Sequence, residues 1–133
     1  MTAYDKLLAH ARETEALAQV AGRLGWDQET MMPEGAAEQR SEEMGAMEAV
    51  LHARRTDPRV GEWLEAAQAP DATGEAQLRQ IRRSYERASR VPADLATALA
   101  RLTSRSQGIW ARARAAEDIS AFTPVLAEVV ALR

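Results

Sequence analysis

Trp26-Asp27-Gln28-Glu29-Thr30-Met31-Met32-Pro33-Glu34-Gly35 interrupts two long alanine-rich helical patterns and decides how the chain folds back on itself. A linker that only joins two helices is built of Gly, Ser, Asn or Asp, whereas this stretch holds an indole, an acid beside an amide, and two thioethers. It reads as a packed, specified turn. On its N-terminal side Tyr4, Leu7, Leu8, Ala11, Leu17, Ala18, Ala21 and Leu24 recur at helical intervals, which predicts one helix from about Ala3 to Leu24 with Gly25 as its stop. On its C-terminal side Ala37, Met44, Met47, Val50 and Leu51 mark the inner stripe of a second helix. Glu38, Glu42, Glu43 and Glu48 lie mostly outside that stripe, and Arg40 falls on its buried side.

Further along, Thr56-Asp57-Pro58 supplies a cap followed by proline at the first helical position. It opens a short helix with Val60, Trp63, Leu64 and Ala67 inward. Pro70 through Gly74 reads as a loop, and a fourth helix starts at Thr73, carries Leu78, Ile81, Tyr85 and Ala88 inward, and ends near Arg90 ahead of Val91-Pro92. Pro92 opens a fifth helix of about 24 residues bearing Leu95, Leu99, Leu102, Ser106, Ile109, Trp110 and Ala113, long enough to span the bundle. A sixth begins near Ser120 or Thr123 with Phe122, Leu126, Val129, Val130 and Leu132 apolar. No glycine, asparagine or proline closes it before Arg133, so the chain reads as cut. The expected fold is all-α, about six helices in an antiparallel bundle-like array, with residues 1–133 forming one region.

Composition agrees with that class. The chain has 133 residues, of which 46% are hydrophobic and 28% charged, with 28 Ala, 16 Arg and one Lys against one Phe, two Tyr and three Trp. That mixture favours helices and lacks β-formers. Without cysteine there is no disulfide, thiolate nucleophile or cysteine-bound metal, and without an apolar leader the default location is cytoplasmic. No apolar run approaches the roughly 20 residues needed to cross a bilayer, which predicts a soluble chain with no membrane role. Residues 1–70 carry a net −6 and residues 71–133 a net +3, so the two halves should attract. Arg79, Arg82, Arg83, Arg87 and Arg90 form a basic cluster, but Glu75 and Glu86 are mixed in and Tyr85 is its one aromatic. That pattern describes a solvated helix face better than a nucleic-acid platform.

The chemical inventory is poor. His10 and His52 are followed four positions on by Thr14 and Thr56, so neither forms a His-x-x-x-His pair, and each reads as a half-exposed structural histidine. No glycine-rich phosphate loop or Gly-x-Ser-x-Gly elbow occurs. Paired carboxylates such as Glu38 with Glu42, or Glu13 near Glu15, have nothing to place them in a low-dielectric pocket. Asp27 differs, because a carboxylate beside Trp26 among apolar residues needs a partner, and Arg40 is the candidate. No catalytic, cofactor-binding or metal-binding residue is assigned within the chain.

Several short motifs, in one order and at compatible spacing, carry a resemblance. They are Trp26-Asp27-Gln28-Glu29-Thr30-x-Met32-Pro33, then Gly35-Ala36-Ala37-Glu38, then Tyr85-Glu86-Arg87-Ala88 ahead of Val91-Pro92. Last comes Trp110-x-x-Ala113-Arg114 with Asp118, Phe122 and Pro124. Together they resemble the N-terminal part of the carboxypeptidase Taq metallocarboxypeptidases over nearly the whole chain, although Ile119 stands where that pattern has Phe. The resemblance implies a cytoplasmic, homodimeric enzyme that removes amino acids from peptide C-termini with a divalent metal, typically zinc. A His-Glu-x-x-His helix and a later Glu would hold that metal, and both lie downstream of the region matched. Trp26, Asp27, Gln28, Thr30, Met32, Pro33, Arg40, Trp110 and Arg114 are then motif positions with a structural role in one wall of the cleft, and the chain alone should be inactive.

Two other readings stay open. One is a self-contained interaction module using Met31, Met32, Met44 and Met47, which needs an open groove lined by all four. The other is a short regulatory relative of the peptidase. Under the reading as a cut chain, apolar surface should be exposed on the last helix.

Overall fold

The computed structural model describes residues 1–132 and contains six α-helices and two 3-10 turns. Helix α1 (Ala3–Thr30) opens with a capping box. The Thr2 hydroxyl accepts the Asp5 N–H at 3.1 Å, and the Asp5 carboxylate accepts the Thr2 N–H at 2.9 Å, so two orphan donors are satisfied reciprocally. The helix does not stop at Gly25. It continues through Trp26, Asp27, Gln28, Glu29 and Thr30, which leaves Met31 to Pro33 as the break, followed by a 3-10 turn at Glu34–Ala36. The expected stop fails because residues 27 and 28 make long-range side-chain bonds whose direction depends on helical register at that point.

Helix α2 (Ala37–Arg55) returns antiparallel to α1: Arg40 near its start reaches Leu24 and Asp27 near the end of α1, while Arg54 in its last turn reaches His10 and Glu13. Helix α3 (Pro58–Ala66) begins as the sequence predicts, with the Asp57 carboxylate accepting the Arg59 N–H at 2.9 Å and Pro58 in the first turn. Helix α4 (Ala72–Ser89) begins earlier than Thr73. Asp71 caps it through the Gly74 N–H at 2.7 Å, which draws residues expected to be loop into the first turn. It runs antiparallel to α3, with Tyr85 against Gly61 and Arg82 on Glu65.

Helix α5 (Ala93–Ala115) lies along α2 in the most extensive helix pairing of the molecule, again antiparallel, since Val91 just before α5 meets His52 and Arg101 meets Glu42. A 3-10 turn (Ile119–Ala121) and α6 (Thr123–Leu132) fold back on α5, with Glu128 bound to Arg105. Of the attraction expected between the halves, Arg82–Glu65 and Arg101–Glu42 are, among the described residues, the ion pairs that cross from one to the other.

The principal core joins α1, α3 and α4. Leu7, Val60 and Leu64 are buried, with Trp63, Leu78, Ile81 and Tyr85 packed around them. Leu51, Leu102, Ala113 and Val125 are the other buried apolar residues, placed along α2, α5 and α6. Two inward expectations are corrected. Val50 is 47% exposed and Trp110 51% exposed, each turned away from the face its helix packs on.

Candidate functional site

The corner where α1, α2 and α5 meet is built from the motif residues. Arg40, with its side chain only 12% exposed, uses all three guanidinium nitrogens. Nη2 donates to Asp27 Oδ2 at 2.6 Å, Nη1 to the Leu24 carbonyl at 2.7 Å, and Nε to Glu43 Oε2 at 2.9 Å. The Asp27 hydrogen bond, more than any other contact, holds the Arg40 guanidinium above the ordinary arginine range. The partnership expected between Asp27 and Arg40 is therefore present. One position on, Gln28 forms a reciprocal pair with α5: its amide donates to the Ser104 carbonyl at 2.7 Å and its Oε1 accepts the Ser104 hydroxyl at 2.9 Å. Successive residues of one helical turn thus tie α1 to two different helices.

The rest of the motif serves the turn or faces outward. The Asp27 carbonyl accepts both the Met31 and Met32 N–H at 2.9 Å, and the Thr30 hydroxyl donates to the Trp26 carbonyl at 2.7 Å. Pro33 is exposed and holds the extended backbone that leads into the 3-10 turn. Trp26 does not pack as expected. It is 64% exposed, because the turns of α1 that point Asp27 at α2 and Gln28 at α5 send position 26 away from both. A cleft of about 290 Å³ lies beside the corner, with Met32, Gln28 and Glu34 on one side and Gly108, Ala111 and Arg112 on the other.

On another face of the same C-terminal end of α5, Trp110 and the exposed Arg114 line a second cleft of about 290 Å³ with Ile119 and Phe122. The helix ends there in a Schellman motif. The Asp118 N–H reaches the Ala113 carbonyl at 2.9 Å, the Glu117 N–H reaches the Arg114 carbonyl at 3.2 Å, and Glu117 takes φ 53°.

Both histidines are committed to the backbone. His10 Nε2 donates to the Arg54 carbonyl at 2.9 Å, with its ring edge-on to Trp63, and His52 Nε2 donates to the Val91 carbonyl at 2.6 Å. Among the described residues no three His, Asp or Glu side chains converge in a way that could hold a metal, so these residues do not fit a metal centre. No described helix is long and apolar enough to cross a membrane. Arg79, Arg83 and Arg87 on α4 and Arg90 at its C-cap are exposed. Of the four methionines of the interaction reading, Met31 is exposed, Met44 and Met47 are half-buried, and Met32 is the one that lines the cleft at the corner.

Ser104 is the member of the corner that sequence reasoning misses. Ser106, chosen there for the inward stripe, spends its hydroxyl on the Thr103 carbonyl at 2.9 Å, while Ser104 is buried. No local periodicity signals a partner 76 positions away.

Fold and site together define a helical scaffold whose polar motif residues fasten helices to one another. The model of the family described as carboxypeptidase Taq (M32) metallopeptidase matches residues 6–133, and the chain belongs to that family. It is 40% identical to thermostable carboxypeptidase 1 of Thermus thermophilus, covering 98% of this chain and 27% of that protein. It is 27% identical to thermostable carboxypeptidase 1 of Pyrococcus furiosus, covering 96% of this chain and 26% of that protein. The chain thus spans about a quarter of the length of these relatives. Its fold is similar to that of Pyrococcus furiosus carboxypeptidase in the structure described as apo-Mg, with a TM-score of 0.71 and 24% identity over 99% of this chain and 27% of that one.

Proposed function

We propose that this chain is the N-terminal helical wall of a metal-dependent carboxypeptidase that releases single amino acids from peptide C-termini, and that it carries no catalysis by itself. The observation that supports this reading is the family match across residues 6–133. Its chemistry would reside in a region that this chain does not contain, where a bound divalent metal would supply Lewis-acid chemistry and a more acidic water. The metal in this reading is zinc, the assembly a homodimer and the compartment the cytoplasm. Asp27, Gln28 and Arg40 keep α1 in place against α2 and α5, while Thr30, Met32 and Pro33 shape the turn that follows and Trp26 stands on its outer side, so that the wall holds one shape as peptide passes. Trp110 and Arg114 line the cleft that the C-terminal end of α5 forms with Ile119 and Phe122.

The test pairs this chain with the catalytic region of its parent polypeptide. Release of C-terminal residues from N-blocked peptides is followed after chelation and after reloading with zinc, magnesium or cobalt. Activity should need both parts and one metal, and should be absent from the 133-residue chain under every metal. Full activity of the catalytic region without this chain, or no metal-dependent release from the pair, overturns the reading.

A further inference from the structure

A cavity of about 240 Å³ lies between α1, the last turn of α2, α3 and α4, remote from the motif corner, and no residue of it has a part in the function proposed above. Leu7, Val60 and Ile81, from three different helices, are among its apolar lining. Arg54 and Arg55 also line it. Arg54 is held in place, with Nε on the Thr14 hydroxyl at 3.0 Å and Nη2 on Glu13 at 2.7 Å, while the nearest carboxylate to Arg55 is Glu48 at 3.6 Å. Glu15 lines the same space and forms no ion pair among the described residues. The Tyr85 ring borders the cavity because position 61 is glycine: a Cβ there would lie 2.9 Å from the Tyr85 hydroxyl oxygen.

We propose that this cavity binds one free α-amino acid with an apolar side chain, its carboxylate on Arg55 and Arg54, its ammonium on Glu15, and its side chain against Leu7, Val60 and Ile81. Three features select that ligand. The volume lies just below the range of drug-sized sites, roughly 300–1,000 Å³, and so suits a molecule of amino-acid size. Two guanidinium side chains in the lining, Arg55 and the remaining Nη1 of Arg54, favour a carboxylate. An apolar lining beside an unpaired carboxylate favours a ligand with both a hydrocarbon body and a cationic group. The ligand is identified from the cavity alone; that it is also the product of a carboxypeptidase, and so a signal of product level to the cleft wall, rests on the function proposed above.

Titration of the isotopically labelled chain with L-leucine, followed by amide chemical shifts, tests the site without any peptidase activity, so its failure leaves the peptidase reading standing. Saturable shifts are expected at Ala11, Ala18 and Ser84, which line the cavity. Leucinamide, which lacks the carboxylate, and 4-methylpentanoate, which lacks the ammonium, should each bind at least about tenfold more weakly, and glycine more weakly than leucine. Arg55→Gln, at a half-exposed position that tolerates change, should weaken leucine about tenfold. Ala11→Phe should abolish binding by filling the space. Absence of saturation, equal binding of leucinamide or 4-methylpentanoate, or an unaltered affinity in the folded Arg55→Gln chain overturns the proposal.

Discussion

Arg40 is the residue on which the corner depends, because three of its bonds end on acceptors that have no second cation within the same geometry. Arg40→Met keeps the stem and removes the charge, leaving Asp27 and Glu43 facing each other's field. Loss of one partner of a fully buried pair costs about 3–5 kcal/mol and of an exposed pair about 0–1. With Arg40 12% and Asp27 39% exposed, about 2 kcal/mol is expected, read as a lower urea midpoint with unchanged slope. Arg40→Lys should recover less than half of it, since one ammonium cannot reach three acceptors in a plane. Asp57 offers a prediction with a sign. Hydrogen bonds from the Arg59 side chain, then from its backbone N–H, lower its pKa to about 2. The folded value lies below the unfolded value near 3.9, so the ionised cap stabilises the fold above that pH and is lost as pH falls from about 4 to 2. Arg59 is largely exposed, which limits the effect to about 1 kcal/mol. Asp57→Asn keeps an acceptor at the N-cap and loses the titration, so its melting temperature should fall less between pH 4 and 2 than that of the parent chain.

At the scale of the element, α1 shows where local signals and tertiary ones part. Gly25 is a sound helix-stop signal in a one-dimensional reading, since glycine inside a helix costs about 1 kcal/mol against alanine. The helix passes through it because only continued helical register aims Asp27 at Arg40 and Gln28 at Ser104, and those bonds outweigh the glycine. The Asp27–Arg40 pair was legible because a carboxylate among apolar neighbours demands a cation and Arg40 lay on the inward stripe. The Gln28–Ser104 pair was not, because an amide and a hydroxyl make no such demand. Trp26 was misread because an indole in a motif suggests burial, whereas its direction is fixed by its neighbours' bonds. A Cβ at Gly25 would meet nothing within 4 Å, so Gly25→Ala should raise stability by about 0.5–1 kcal/mol, measured by thermal unfolding. The end of α5 is the converse case. Glu117 sits at φ 53°, where a side chain costs about 1 kcal/mol, and the sequence gives no glycine to announce the Schellman turn. Glu117→Gly should stabilise by about 0.5–1 kcal/mol, and a destabilised variant would show that its carboxylate has a role the backbone argument misses.

For the whole molecule, the all-α class and the six helices were readable from their apolar stripes, and the antiparallel pairing is present in α1–α2, α3–α4 and α2–α5, while the size of the core was not readable. Periodicity marks which face turns inward but not how much will cover it. Among the described residues seven apolar side chains are buried, and Trp26, Trp110, Ile119, Leu126 and Val130 are each 45% exposed or more. Leu126 and Val130 are four residues apart on α6, so they share one outward stripe of the most apolar helix, as expected for that helix from its sequence. A patch of this kind seeks cover, and the cheapest cover for an isolated chain is a second copy of itself. The 133-residue chain should therefore associate as its concentration rises and bind an apolar dye. The pair Leu126→Gln and Val130→Lys, at positions where the native side chain is partly or largely exposed, should lower both signals while destabilising the fold by no more than about 1 kcal/mol. Sedimentation velocity over a concentration series makes the measurement. If the parent chain sediments as one monomeric species throughout, the stripe is ordinary surface and association must be sought at Trp26 or Trp110 instead.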